Sequence, residues 1–131
     1  MIAVDASAIL AILLREDDGP RFAGFLSEHR GRTAMSSVNY WETLVRARIV
    51  HGPRGHDLVD ALLTTLDITV QIADAELATR AALAFERFRG RAGGRLNLGD
   101  TFAYALAERE GDGLLFKGND FPRTDVKSAL A

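Results

Sequence analysis

Ile2-Ala3-Val4-Asp5-Ala6-Ser7-Ala8-Ile9-Leu10-Ala11-Ile12-Leu13-Leu14 is the stretch that decides the fold. Ile2 to Val4 is apolar and partly β-branched, Asp5 interrupts it, and Ala6 to Leu14 then reads as a buried helix. Strand, acidic turn and helix in that order begin a βα unit. Further along, Gly19-Pro20 breaks the chain before a helix over Arg21 to Glu28, and Thr33 to Met35 reads as a second strand. Ser36 or Ser37 can cap the next helix, near Val38 to Val50. There Val38, Trp41, Val45 and Ile49 recur at spacings of three and four, which predicts them as the inner face, with Trp41 in the core.

The same alternation continues. His51 to Gly55 is a loop, Asp57 to Leu66 a helix and Ile68 to Ile72 a strand, and Asp74 caps a long helix reaching Phe88. Arg89 to Arg95 reads as a Gly- and Arg-rich loop. Asn97 to Glu110 is helical and stopped by Gly111, Leu114 to Phe116 is a strand, and Lys117 to Pro122 is rich in turn residues. Strands separated by helices predict an α/β fold whose central, mainly parallel sheet is covered on both faces. In such sheets ligands bind beyond the carboxyl ends of the strands, where the strand order switches.

A length of 131 residues fits one domain spanning 1–131. With 47% hydrophobic and 26% charged residues the chain is too apolar to be disordered. The absence of cysteine excludes disulfides and thiolate metal sites, and makes the cytoplasm the expected compartment. Asp5 and Ser7 break the opening apolar run, so it is read as core and not as a signal peptide. No stretch is apolar for long enough to cross a bilayer, so no membrane association is expected. A net charge of −2 gives no global sign of nucleic-acid binding, and any such contact must be local.

Asp5 follows the first strand, Asp100 lies in the first turn of the late helix, Asn119-Asp120 follow the last strand, and Glu42 sits early in the helix after Met35. Each acid has a local explanation: helix capping for Asp5, an i,i+4 pair with Arg46 for Glu42, the helix dipole for Asp100 and an Asx-type turn for Asp120. Their joint placement argues for more. Four carboxylates converging at one sheet edge would raise each other's pKa unless a cation neutralised them. Oxygen donors without His or Cys select Mg²⁺ or Mn²⁺ over zinc. A centre of that kind suits hydrolysis of a phosphodiester.

These residues carry a resemblance. Ile2-Ala3-Val4-Asp5-Ala6-Ser7-Ala8, Ser36-Ser37-Val38-Asn39-Tyr40-Trp41-Glu42, Leu96-Asn97-Leu98-Gly99-Asp100-Thr101-Phe102-Ala103-Tyr104-Ala105-Leu106-Ala107 and Leu114-Leu115-Phe116-Lys117-Gly118-Asn119-Asp120-Phe121 resemble the VapC-type PIN toxins, in the same order and over essentially the whole chain. The block around Asp100 is the most specific. The resemblance implies a three-layer α/β/α sandwich and a catalytic metal site at Asp5, Glu42, Asp100 and Asp120, with Asp5, Asp100 and Asp120 as ligands of Mg²⁺ or Mn²⁺. It also implies endonucleolytic cleavage of RNA, structured RNA such as tRNA or rRNA being the expected class, leaving 5'-phosphate and 3'-hydroxyl ends. A cognate VapB antitoxin and a homodimer are implied with it. Where family members often carry an acid two residues before the last one, this chain has Gly118, so Asp120 holds the fourth position, directly or through a water.

Ser7, Thr101 and Asn119 are candidate supporting groups. Arg87, Arg89, Arg91 and Arg95 form a basic stretch that can grip RNA phosphates or lie solvated in a loop. His29, His51 and His56 show no ligand spacing. A haloacid-dehalogenase-like phosphatase needs a second Asp where Ser7 stands, and a receiver domain needs an acceptor Asp after a mid-chain strand. The remaining alternative is a PIN-like module that binds RNA or a partner without cutting it, and Gly118 is the feature favouring it.

Overall fold

The computed structural model describes residues 1–89 and 96–130. Its strands are β1 (Ile2–Val4), β2 (Thr33–Ser36), β3 (Ile68–Gln71) and β4 (Leu114–Leu115), and its helices are α1 (Ala6–Leu13), α2 (Gly19–Glu28), α3 (Ser37–His51), α4 (Arg54–Thr65), α5 (Ala75–Phe88) and α6 (Leu98–Glu110). The strands form one sheet in the order β3-β2-β1-β4, with every neighbouring pair parallel. The loop expected over Arg89 to Arg95 lies, from residue 90, outside the described residues.

The pleat of the sheet sorts the core into two layers. Ala3, Ala34 and Leu114 face Leu77, Ala81, Phe88, Tyr104 and Leu106 of α5 and α6. Their chain neighbours Val4, Met35 and Leu115 face the other way, onto Ile9, Phe22, Leu26, Ala47, Val59 and Leu63 of α1 to α4. A strand of three residues can serve both layers because successive side chains point to opposite faces. Burying each large apolar side chain contributes about 1.5–3 kcal/mol. The result is the three-layer α/β/α sandwich expected from the alternation of elements.

From β1 the chain runs outward through β2 and β3 on one side and then crosses back to β4 on the other, so the strand order switches between β1 and β4. The crevice at that point opens beyond Val4 and Leu115. The far edge of β4 is covered by the tail: Leu114 N donates to Lys127 O and Ala129 N to Leu114 O, both at 2.9 Å, and Leu114 bridges Ser128 in parallel.

The inner face of α3 is a correction. Its buried residues are Asn39, Thr43 and Ala47, while Trp41 is 60% and Ile49 72% exposed, and Val38 and Val45 are half-buried. The spacing of three and four marks an apolar stripe, but the neighbours of α3 come too close for large side chains on the buried side. Gly55 of α4 lies against it so tightly that a Cβ there would sit 2.5 Å from the Ala47 carbonyl carbon and oxygen. Small residues are therefore fully buried on α3, while Trp41, Ile49 and Val50 point outward.

Because backbone cannot yield as a side-chain end can, Gly55→Ala is expected to lower stability by about 1–3 kcal/mol. Gly24→Ala, in open space within α2, should raise it by about 0.5–1 kcal/mol through helix propensity alone. Thermal denaturation followed by circular dichroism measures both, and equal effects would refute the close-contact account.

Candidate active site

Asp5 directly follows β1, with only 5% of its surface exposed. Its Oδ2 accepts the backbone N–H of Ser7 at 3.1 Å and the Ser7 hydroxyl at 2.5 Å, so it caps α1. Ser7 Oγ also accepts the backbone N–H of Lys117 at 2.9 Å, joining the end of β1 to the end of β4. Lys117 Nζ in turn bonds Glu16 at 2.8 Å and Asp18 at 2.9 Å, beyond the end of α1.

Asp100 occupies the third position of α6 in a capping box, its backbone N–H donating to Asn97 Oδ1 at 2.8 Å while its carboxylate accepts Asn97 N at 3.1 Å. Glu42 reaches the same space from α3, its Oε1 accepting Asn39 Nδ2 at 2.9 Å. Asp120, exposed, lies where the chain leaves β4 for the short 3₁₀ turn Phe121–Arg123. All four carboxylates line one cleft of about 410 Å³, with Ser7, Glu16, Arg46, Asn97 and Lys117 around them. Capping and a place in the cleft are thus not alternatives for Asp5 and Asp100.

The electrostatics show that the acids sense one another. Burial pushes Asp5 above the ordinary carboxylate range, opposed by the hydrogen bonds from Ser7 and reinforced by the charge of Asp120. Burial likewise raises Glu42, with the charge of Asp5 adding to it. Asp100 is pushed up to about 7, chiefly by burial and further by the charges of Asp5, Asp120 and Glu42. Among the described residues no three such side chains are gathered tightly enough to hold a metal ion as they stand. As a donor set they are oxygen-only and anionic, which fits a hard divalent cation and not zinc or copper.

The model of the PIN domain family matches residues 2–127. The chain belongs to the PIN-domain family. Among its relatives is Ribonuclease VapC42 of Mycobacterium tuberculosis, 41% identical over 129 residues, covering 96% of this chain and 97% of the relative. Ribonuclease VapC of Mycolicibacterium smegmatis is 38% identical over 126 residues, covering 95% and 97%. A solved structure of M. tuberculosis VapC20, a sarcin-ricin loop cleaving toxin, superposes with a TM-score of 0.79 over 97% of both chains at 16% identity, a likeness of fold.

In this PIN domain the other expected site residues fall differently. Ser7 lies in the cleft, as described. The Thr101 hydroxyl donates to Leu98 O at 2.7 Å and serves its own helix, and Asn119 is exposed and outside the cleft lining. Arg87 pairs with Asp125 at 2.8 Å and Arg89 stands over the Phe85 ring, neither in the cleft lining. Arg91 and Arg95 lie outside the described residues.

Sequence reasoning missed Asn39, Gly99, Arg46, Lys117 and Glu16 as parts of the site. Two signals were present. Ser36, Asn39 and Glu42 repeat at steps of three along one helix face, and a glycine inside the first turn of α6 disfavours the helix, which points to a close neighbour.

Asp100 is held above its unfolded pKa of 3.8 at about 7. The folded state therefore binds the proton more tightly, and the associated stability is present at low pH and lost as pH rises through 7. Without divalent ions the melting temperature should fall from about pH 4.5 to 7.5 and level off above that, and Asp100→Asn should flatten that fall. Added Mg²⁺ or Mn²⁺ should recover stability at pH 8.5 by mass action. A wild-type profile that rises with pH over this window would contradict the assignment.

Proposed function

We propose that the chain is an endoribonuclease that hydrolyses RNA phosphodiester bonds with Mg²⁺ or Mn²⁺ and acts as the toxin of a toxin-antitoxin pair, restrained by a cognate VapB-type antitoxin. One observation carries the reading: in a chain with near-full-length relatives named as VapC ribonucleases, Asp5, Glu42, Asp100 and Asp120 line one cleft at the switch point of the sheet. Asp5, Asp100 and Asp120 are the residues to hold the cation, with Glu42 beside them. When bound, the ion supplies positive charge that orients the phosphodiester and makes water a competent nucleophile.

The chain's own groups do the rest. Ser7 fixes the rotamer of Asp5 by donating to its Oδ2, and the capping box fixes Asp100, so both carboxylates are aimed before substrate arrives. Asn39 occupies Glu42 Oε1, leaving Oε2 to accept a proton from the attacking water. Arg46 is exposed one turn beyond Glu42, and with Lys117 it supplies the cationic side chains of the cleft lining. Arg46 is placed to grip RNA phosphate, while Lys117 is already held by Glu16 and Asp18.

Structured RNA such as tRNA or rRNA is the substrate class in this reading, the cytoplasm the compartment and a homodimer the assembly. Exposed Trp41, Ile49 and Val50 of α3 provide apolar surface that a second copy would cover. Gly118, where the resemblance to VapC-type toxins leads one to expect an acid, supports a second reading in which the domain binds RNA without cutting it.

Purified protein free of antitoxin, incubated with structured RNA and Mg²⁺ or Mn²⁺, should cleave it, and EDTA should stop the reaction. Asp100→Asn, its fold checked by circular dichroism, should lose cleavage. Intact RNA under every condition, together with no divalent binding by calorimetry, would favour the binding module. Arg46→Ala should weaken RNA binding across sequences and lower the slope of log affinity against log salt by about 1. An unchanged slope would remove Arg46 from the phosphate path.

A further inference from the structure

Glu42 is the cleft carboxylate whose position depends most on another helix. Its carboxyl group lies directly over the α-carbon of Gly99: a Cβ built there would stand 2.1 Å from Oε1 and 2.2 Å from Cδ and Oε2. No side chain fits in that space with Glu42 where it is. From the other side Asn39, fully buried, holds the same group, and its Nδ2 donates both to Glu42 Oε1 and to the Gly99 carbonyl, each at 2.9 Å.

Every polar atom of Asn39 is used. The amide nitrogen has two protons, and each has an acceptor, one on α3 and one on α6. Oδ1 accepts the Ser36 hydroxyl at 2.7 Å, the backbone N–H donates to Ser36 Oγ at 3.2 Å, and the backbone carbonyl accepts from Thr43 Oγ1 at 2.8 Å. Ser36 is also the N-cap of α3. A capping serine thus orients an asparagine, which orients a glutamate, and the glycine beside Asp100 leaves room for it.

We propose that Asn39 and Gly99 are positioning residues for Glu42, a clamp that sets where its carboxylate stands relative to Asp100. The inference rests on the nuclease reading for its effect on turnover, while the geometry it asserts stands independently. Asn39 lies on α3 and Gly99 on α6, next to Asp100, so the clamp ties the two helices that deliver Glu42 and Asp100 to the cleft. A displacement of about 1 Å at a catalytic group can cost about 100-fold in rate, which makes a single methyl at position 99 consequential.

Gly99→Ala is the cleanest test, because the group that must yield is the end of a flexible side chain, and circular dichroism should show the fold retained. It should lower kcat by about 100-fold with little change in KM, and in a Glu42→Ala background, where the space is empty, it should have no further effect. In a ¹H–¹⁵N spectrum, Gly99→Ala and Glu42→Ala should shift the same Asn39 side-chain amide proton, the one donated to Oε1. If Gly99→Ala leaves both rate and amide signal unchanged, or lowers the rate equally in both backgrounds, the clamp is refuted. Full activity in Glu42→Ala would instead defeat the catalytic reading of Glu42, and the Asn39 amide signal would still decide whether the clamp exists.

Discussion

Burial of carboxylates in one partly dry cleft, with their mutual repulsion added to it, is the constraint to which the rest of this molecule answers. Asp5, Glu42 and Asp100 are all held above the ordinary carboxylate range, first by burial and then by one another or by Asp120. Left to relax, such groups would swing out into water. Here they cannot, because each is fastened by its own element: Asp5 by Ser7, Asp100 by Asn97 and Glu42 by Asn39. The fold spends local hydrogen bonds to keep negative charge where it is unfavourable without a cation.

Those fastenings are ordinary helix-terminus devices turned to a second use. Asp5, Ser36 and Asn97 are N-caps of α1, α3 and α6, and each cap either is a cleft carboxylate or holds one, directly or through one intermediary. Three helix N-termini meeting at the switch point of a parallel sheet concentrate partial positive charge there. That field lessens the cost of assembling the acids.

The layered architecture was legible because it depends on features that sequence carries openly. Ile2 to Val4, Thr33 to Met35 and Leu114 to Phe116 are β-type runs bounded by polar or turn residues, and the intervening apolar periodicity has the length of helices. The four acids stood out because Asp5 directly follows a strand, Asp100 lies in the first turn of a helix, and Glu42 and Asp120 lie on the segments by which the chain leaves β2 and β4. What escaped was set by distance of approach between elements far apart in the chain. Trp41 reads as core because the stripe it belongs to is apolar, yet the faces of α3 were sorted by how near Gly55 and Gly99 come. Arg87 and Arg89 read as phosphate contacts because they cluster in sequence, but Arg87 turns to Asp125, a partner 38 residues away that no local pattern announces.

The tail strand pairing along β4 has a meaning for the molecule's solubility. β4 is only two residues long and lies at the sheet's border, where open backbone N–H and C=O groups would invite another chain to add itself as a fifth strand. Lys127 and Ala129 take up those groups, and the Gly113 α-carbon lets the tail come close, since a Cβ there would stand 3.0 Å from Lys127 O. The border nearest the acidic cleft is thereby sealed by the chain itself. The opposite border, β3, is the edge of the sheet at which no further strand is paired among the described residues, and it carries the exposed Val70.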